Sequence, residues 1–192
     1  WYCERRANIR TVTPHAGHYA LVEMEAYFSD LRVITQNVDS LHQQSGSNEV
    51  IELHGNIMRS ICNRTGKYID EAWIKANPGH PPGSPHHPQG LARPGVVWFG
   101  EALPDNAMTA AMKYASSCDV CFSIGTSSLV QPAASIPYTA LNAGATVIEI
   151  NPTPTSLSAH AQFSLQSTAA EALTSIVKAL ATHVGILDVR PV

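Results

Sequence analysis

Leu31-Arg32-Val33-Ile34-Thr35-Gln36-Asn37-Val38-Asp39-Ser40-Leu41-His42 reads as a short buried strand that runs out into a polar turn. The apolar, β-branched residues before Gln36 have strand length and strand character. The side chains that follow stand at the carboxyl end of the strand, which in an open α/β sheet faces the ligand crevice. The amides of Gln36 and Asn37 and the carboxylate of Asp39 suit hydroxyl and carboxamide partners. A second extended approach, Val50-Ile51-Glu52-Leu53, leads to His54-Gly55. An imidazole there can move a proton near neutral pH. The competing reading is structural: a turn whose Asn and Asp cap their own backbone, followed by a satisfied histidine.

Outward from this stretch, helices are expected over 1–9 and 14–28. Pro14 suits the start of the second, and Ala20, Leu21, Met24, Tyr27 and Phe28 fall on one stripe. A short helix is expected over 40–44. Residues 77–90 carry five prolines and read as a loop within a small insert spanning 56–92. Beyond it, extended segments over 95–98, 119–124 and 145–150 alternate with helices over 104–116, 132–143 and 169–183. The last of these carries Leu173, Ile176, Val177 and Leu180 on one stripe. Strands alternating with helices mean an α/β fold with a doubly wound parallel sheet. The expected organisation is a core of residues 1–55 and 93–192 with the insert 56–92 between its two parts.

The 192 residues suffice for one domain with an insert, and 44% hydrophobic content argues for a globular chain. A net charge of −3 gives no case for non-specific nucleic-acid binding. No apolar run is long enough to span a bilayer. Four cysteines do not make a disulfide scaffold, so a reduced cytoplasmic setting and no membrane partner are expected.

The wording of the motifs is more specific than their composition. Thr35-Gln36-Asn37-Val38-Asp39-Ser40-Leu41-His42 and then Glu52-Leu53-His54-Gly55 resemble the sirtuins, the NAD-dependent protein lysine deacylases. The resemblance continues through Arg93-Pro94-Gly95-Val96-Val97-Trp98-Phe99-Gly100-Glu101, Gly125-Thr126-Ser127-Ser128 and Asn151. It implies a Rossmann-like core binding NAD. Gln36, Asn37 and Asp39 would lie around the nicotinamide ribose and carboxamide. Gly125, Thr126, Ser127 and Asn151 would line the adenosine-ribose and phosphate part, with Ala169 closing over the adenine. The implied chemistry is acyl transfer: nicotinamide leaves, and His54 acts as general base on a ribose hydroxyl, with Asn37 and Asp39 beside it. Acyl-lysine protein or peptide would pair with Val97, Phe99, Gly100 and Glu101 on one side and Val130 on the other. Tyr2-Cys3-Glu4-Arg5 fits the Tyr-x-x-Arg pattern of the class that removes succinyl and malonyl groups, for which Tyr2 and Arg5 would bind an acyl carboxylate. An ordinary basic helix face, Arg5-Arg6 in solvent, is the alternative.

Two departures stand against the pattern. Sirtuins carry two Cys-x-x-Cys pairs for a structural zinc, whereas here Cys62 has Thr65 where its partner would sit. Pro85-His86-His87-Pro88 replaces the second pair. Cys62, His80, His86 and His87 number the four donors a tetrahedral site needs, but the proline-rich spacing argues against one, and zinc is expected to be absent. Cys118 and Cys121 are read as structural, with Cys121 a small buried residue. The family's first strand and glycine-rich loop do not precede Trp1 in these residues, so a longer natural chain is expected and weak NAD binding by these residues alone. A mono-ADP-ribosyltransferase and a catalytically dead acyl-lysine binding module are the competing functions.

Overall fold

The first helix is anchored by an arginine that the sequence left in solvent on one of its two readings. Arg6 of α1 (Tyr2–Ile9) donates to Ile57 O at 2.6 Å, Arg59 O at 2.8 Å and Ser60 Oγ at 3.2 Å. Burial is the first cause lowering its pKa, so its charge is held where water is partly excluded. The structure, a computed structural model, describes residues 2–187, with side chains through His183. The expected start of this helix at Trp1 lies outside the described residues.

In chain order α2 (Ala16–Met24), β1 (Val33–Thr35), α3 (Leu41–Ser45), β2 (Val50–Glu52) and β3 (Gly55–Cys62) follow. Then come β4 (Tyr68–Ile69), α4 (Glu71–Ala76), β5 (Ala92–Val96), α5 (Asp105–Ala115) and β6 (Val120–Ile124). The last are α6 (Ser135–Asn142), β7 (Thr146–Ile150), β8 (Phe163–Leu165) and α7 (Ala169–Leu187). The fold is α/β and Rossmann-like. In one compact unit, residues 13–34, 41–51 and from 106 onward, β6, β7 and β8 form a parallel sheet in that order. Ala20 and Met24 of α2 pack with Ile150 of β7 and with Ala172, Leu173 and Val177 of α7. Both helical stripes read from the sequence therefore face this core. A Leu→Ala change at such a site costs about 2–5 kcal/mol, which puts Leu173 among the largest single contributors here.

The second unit comprises residues 2–12, 35–40 and 52–105. Its sheet is antiparallel, β4-β3-β5. In this stretch a loop was expected over 77–90 and an extended segment over 95–98, and no element was expected over 56–76. The strand β3 escaped notice because Asn56, Arg59 and Ser60 interrupt its apolar pattern, and two of these polar side chains, Asn56 and Ser60, are buried.

Helix α2 begins at Ala16 rather than Pro14. Its cap is His15, whose Nδ1 accepts from Gly17 N at 3.0 Å, while His18 Nδ1 accepts from His15 N at 3.3 Å. The pair forms a capping box from two imidazoles, residues not usual in that role, which is why proline looked like the better start. Helix α6 begins at Ser135, three residues later than expected. Strand β8 carries three exposed residues and no apolar alternation, so nothing in its sequence marked it.

Candidate functional site

His54 follows the end of β2 and precedes β3, and three hydrogen bonds tie the polar turn after β1 to this corner. His54 Nδ1 lies 3.0 Å from Gln36 O. A carbonyl only accepts, so Nδ1 carries a proton, and in the neutral form of the ring Nε2 is the nitrogen left to accept one. Ile57 N donates to Val38 O at 3.0 Å, and Asn56 Nδ2 donates to Ser40 Oγ at 2.5 Å and to Glu52 Oε1 at 2.9 Å. Thr35 Oγ1 accepts from Asn37 N at 3.0 Å, which turns the chain out of β1. Leu53, fully buried, pins the backbone on one side of His54. Gly55 lies on the other, at φ +74°. A Cβ at Gly55 would fall 2.1 Å from Gly95 O, so no other residue fits at the start of β3, directly after His54.

The turn that carries Gln36, Asn37 and Asp39 is thus tied to the His54 corner, with Asn37 exposed and Gln36, Asp39 and His54 half-buried. Asn56 was missed by sequence reasoning. Its signal was weak, a single Asn after Gly55, yet its buried amide connects the turn to β3.

His54 O accepts from Val97 N at 2.9 Å, placing the loop after β5 beside the histidine. Within that loop Glu101 accepts from Trp98 N at 2.9 Å, and Arg93 bridges both its carboxylate oxygens at 3.0 Å. The Trp98 N–H, with the Arg93 charge, holds the Glu101 carboxyl below its usual value against partial burial. The carboxylate therefore shapes the loop from inside, while Phe99 stands fully exposed at its tip. The Arg93 guanidinium stacks 4.2 Å from the Trp98 ring, and Trp98 Nε1 donates to Tyr2 Oη at 2.6 Å. Tyr2 is half-buried and Arg5 exposed on α1. The Trp98–Tyr2 contact joins residues far apart in sequence and had no local signal.

The other unit holds an open cavity of about 460 Å³. It is lined by Gly125, Thr126 and Ser127 after β6, and by Asn151, Thr155 and Ser156 after β7, among others. Gly125 lies at φ +61° with open space where a Cβ would point, so a ligand can approach its backbone. Asn151 Nδ2 donates to Thr126 O at 3.4 Å, linking the two turns. Ser128, at φ +57°, buries its Oγ with no hydrogen-bond partner among the described residues. Hydroxyls, one amide and a bare backbone turn make a donor set that fits a ribose and phosphates. Ala169 opens α7 and packs against the helical core. Val130, the other residue expected at the peptide, is exposed in this unit, as is its neighbour Leu129.

The residues left in place of the zinc pairs do not fit that metal. Cys62 is fully buried, His86 Nε2 lies 2.7 Å from Tyr68 O, and His87 Nδ1 accepts from Gln89 N at 3.1 Å. Among the described residues no three His, Cys, Asp or Glu side chains converge. Burial pushes the Cys62 thiol up, but the Ser84 and Thr65 hydroxyls and the Arg64 and Thr65 N–H groups outweigh it and bring it down to about 6. A folded-state value below the ordinary one stabilises the fold above the ordinary cysteine range, and that stabilisation is lost as pH falls through about 6. The stability difference between the protein and its Cys62→Ala variant, measured by urea unfolding, should therefore grow from pH 6 toward about 8.5. A difference independent of pH would show that the thiol is not ionised. Cys121, expected to be buried, is half-buried, and desolvation raises its thiol to about 11.

Comparison with known proteins shows the family. The Sir2 family profile matches residues 1–132. An NAD-dependent protein deacylase of Methylococcus capsulatus is 39% identical over 94% of this chain and 72% of its own length. A mutant Sir2 homologue solved with 2′-O-acetyl ADP-ribose superposes with a TM-score of 0.84 at 37% identity, over 95% of this chain and 73% of that one. A Sir2 structure with a p53 peptide and NAD+ gives a TM-score of 0.81 at 31% identity, over 89% and 72% of the two chains.

Proposed function

From the premise that this chain belongs to the Sir2 family and is an NAD-dependent protein lysine deacylase, we propose the roles of its residues and its acyl preference. The observation that carries the reading is the His54 Nδ1 hydrogen bond to Gln36 O. It leaves Nε2 as a general base beside the turn that carries Asn37 and Asp39. Gln36, Asn37 and Asp39 bind the nicotinamide riboside end of NAD. Gly125, Thr126, Ser127 and Asn151 bind the adenosine end, with Ala169 near the adenine. When bound, NAD supplies the ADP-ribosyl group that accepts the acyl group as nicotinamide leaves. His54 takes up a proton at Nε2. Val97, Phe99, Gly100 and Glu101 of one unit offer backbone for pairing with the acyl-lysine peptide, and Val130 of the other unit is given the same role; a relative has been solved with a p53 peptide and NAD+. The test is product analysis: O-acyl-ADP-ribose with free lysine supports deacylation, whereas ADP-ribosylated protein supports the transferase alternative.

The preferred acyl groups are succinyl and malonyl, read by Tyr2 and Arg5 one helical turn apart. The four cysteines are free thiols, which supports a reducing, cytoplasmic setting. Among the described residues no helix is long and apolar enough to cross a membrane. Residues 56–92 serve as a degenerate zinc module in which hydroxyls and N–H groups around Cys62 replace the metal. Protein purified without a histidine tag should contain well under one zinc per chain. One tightly held zinc, lost together with the fold on chelation, would refute this.

A further inference from the structure

Glu149 on β7 is 1% exposed, the one carboxylate so deeply buried among the described residues, and no role proposed above uses it. Its partners are hydroxyls. Thr155 Oγ1 and Ser158 Oγ donate to its two oxygens, and Ser164 Oγ of β8 donates at 2.9 Å. Burial opposes the ionised form, and the hydroxyls of Ser158, Thr155 and Ser164 overcome it, leaving the carboxyl below its usual value. Two of the donors also close a turn around it. Thr155 Oγ1 accepts from Leu157 N at 3.0 Å, and Ser158 Oγ accepts from Thr155 N at 2.8 Å. Leu157, fully buried, anchors the same turn. Thr155 and Ser156 belong to the cavity wall, as does Asn151, two residues beyond Glu149 in the chain.

We propose that Glu149 is a positioning residue for NAD: its buried carboxylate holds residues 152–158 as a preformed wall of the cavity without touching the ligand. This rests on the reading that the cavity takes the adenosine end of NAD. The physical ground is that a buried carboxylate must be met by donors, and here the donors are on the turn that lines the cavity. Turn and carboxylate therefore order each other before the ligand arrives. Ligand binding then does not have to supply the conformational entropy of fixing that wall. An amide at this position presents an NH₂ to hydroxyls that have been donating, so at least one of the three must turn away or be lost.

The experiment is steady-state kinetics of the intact enzyme carrying Glu149→Gln, with NAD and an acyl-lysine peptide varied separately. The KM for NAD should rise about 10- to 100-fold, the range expected for losing hydrogen bonds to a charged group. The kcat at saturating NAD and the KM for the peptide should stay within about threefold of their original values. Ser164→Ala removes one donor from β8, outside the cavity wall, and should raise the KM for NAD in the same direction by less. If Glu149→Gln does not fold, Ser164→Ala decides alone. Equal losses in kcat, peptide affinity and thermal stability, without a selective rise in the KM for NAD, would make Glu149 a fold-holding residue and overturn the proposal. Asn151→Ala and Ser127→Ala separate the two levels of the argument. If neither changes the KM for NAD, the cavity reading falls and the Glu149 proposal with it. If they raise it while Glu149→Gln and Ser164→Ala do not, only the positioning role falls.

Discussion

Replacing His54 with alanine is expected to lower deacylation by about 10²–10⁴-fold, the usual contribution of a general base. Acyl-peptide affinity should be nearly unchanged. The hydrogen bond from Nδ1 to Gln36 O holds the ring in one tautomer and aims Nε2 as an acceptor. Leu53 on one side and Gly55 on the other leave the backbone of this corner no freedom to re-aim it. The His54 backbone would survive the substitution, since its carbonyl still accepts from Val97 N and the peptide loop keeps its anchor. The loss should therefore fall on kcat rather than on peptide binding. His54→Tyr should behave alike, because a phenol does not replace a neutral imidazole as base at neutral pH. Unchanged turnover in a folded, purified variant would remove His54 from the mechanism.

Arg5→Met is expected to erase a preference for succinyl- and malonyl-lysine while sparing acetyl-lysine. A charge-assisted hydrogen bond contributes about 1.5–3 kcal/mol, equivalent to roughly 10- to 100-fold in catalytic efficiency. Arg5 is exposed, so water screens its charge, and the effect should lie nearer to about 10-fold. Tyr2 is better fixed. Its hydroxyl oxygen accepts from Trp98 Nε1 at 2.6 Å, which holds the ring in place on α1. Arg6 provides the contrast. It binds backbone carbonyls of β3, so Arg6→Met should lower stability and all acyl activities together. If Arg5→Met also lowers succinyl and acetyl activity equally, Arg5 holds α1 in place and does not read the acyl group.

What was legible in the chain is its periodicity and its short polar motifs. The helical stripes of α2 and α7, the apolar runs of β6 and β7, and the polar turn after β1 all depend on nearest neighbours and local period, which the linear sequence displays. These were enough for an α/β fold, and the resemblance of the motifs to the sirtuins made Gln36, Asn37, Asp39, His54, Gly125 and Asn151 the candidate site residues. Element ends were less legible, because the cap of α2 is an imidazole pair rather than a residue type expected there. Strands β3 and β8 were missed because buried polar side chains in one, and exposure of all three residues in the other, remove the alternation that marks a strand.

Only the tertiary structure decided which polar residues meet. Asn56 with Ser40, Arg6 with the carbonyls of β3, and Trp98 with Tyr2 are separated by 16 to 96 residues. Glu149 looks in sequence like a charge interrupting a strand, and three hydroxyls make it a satisfied buried carboxylate. Local sequence sets backbone preference and the apolar face. Whether a buried polar group is a liability or a functional support depends on partners that only the folded chain brings within hydrogen-bond distance.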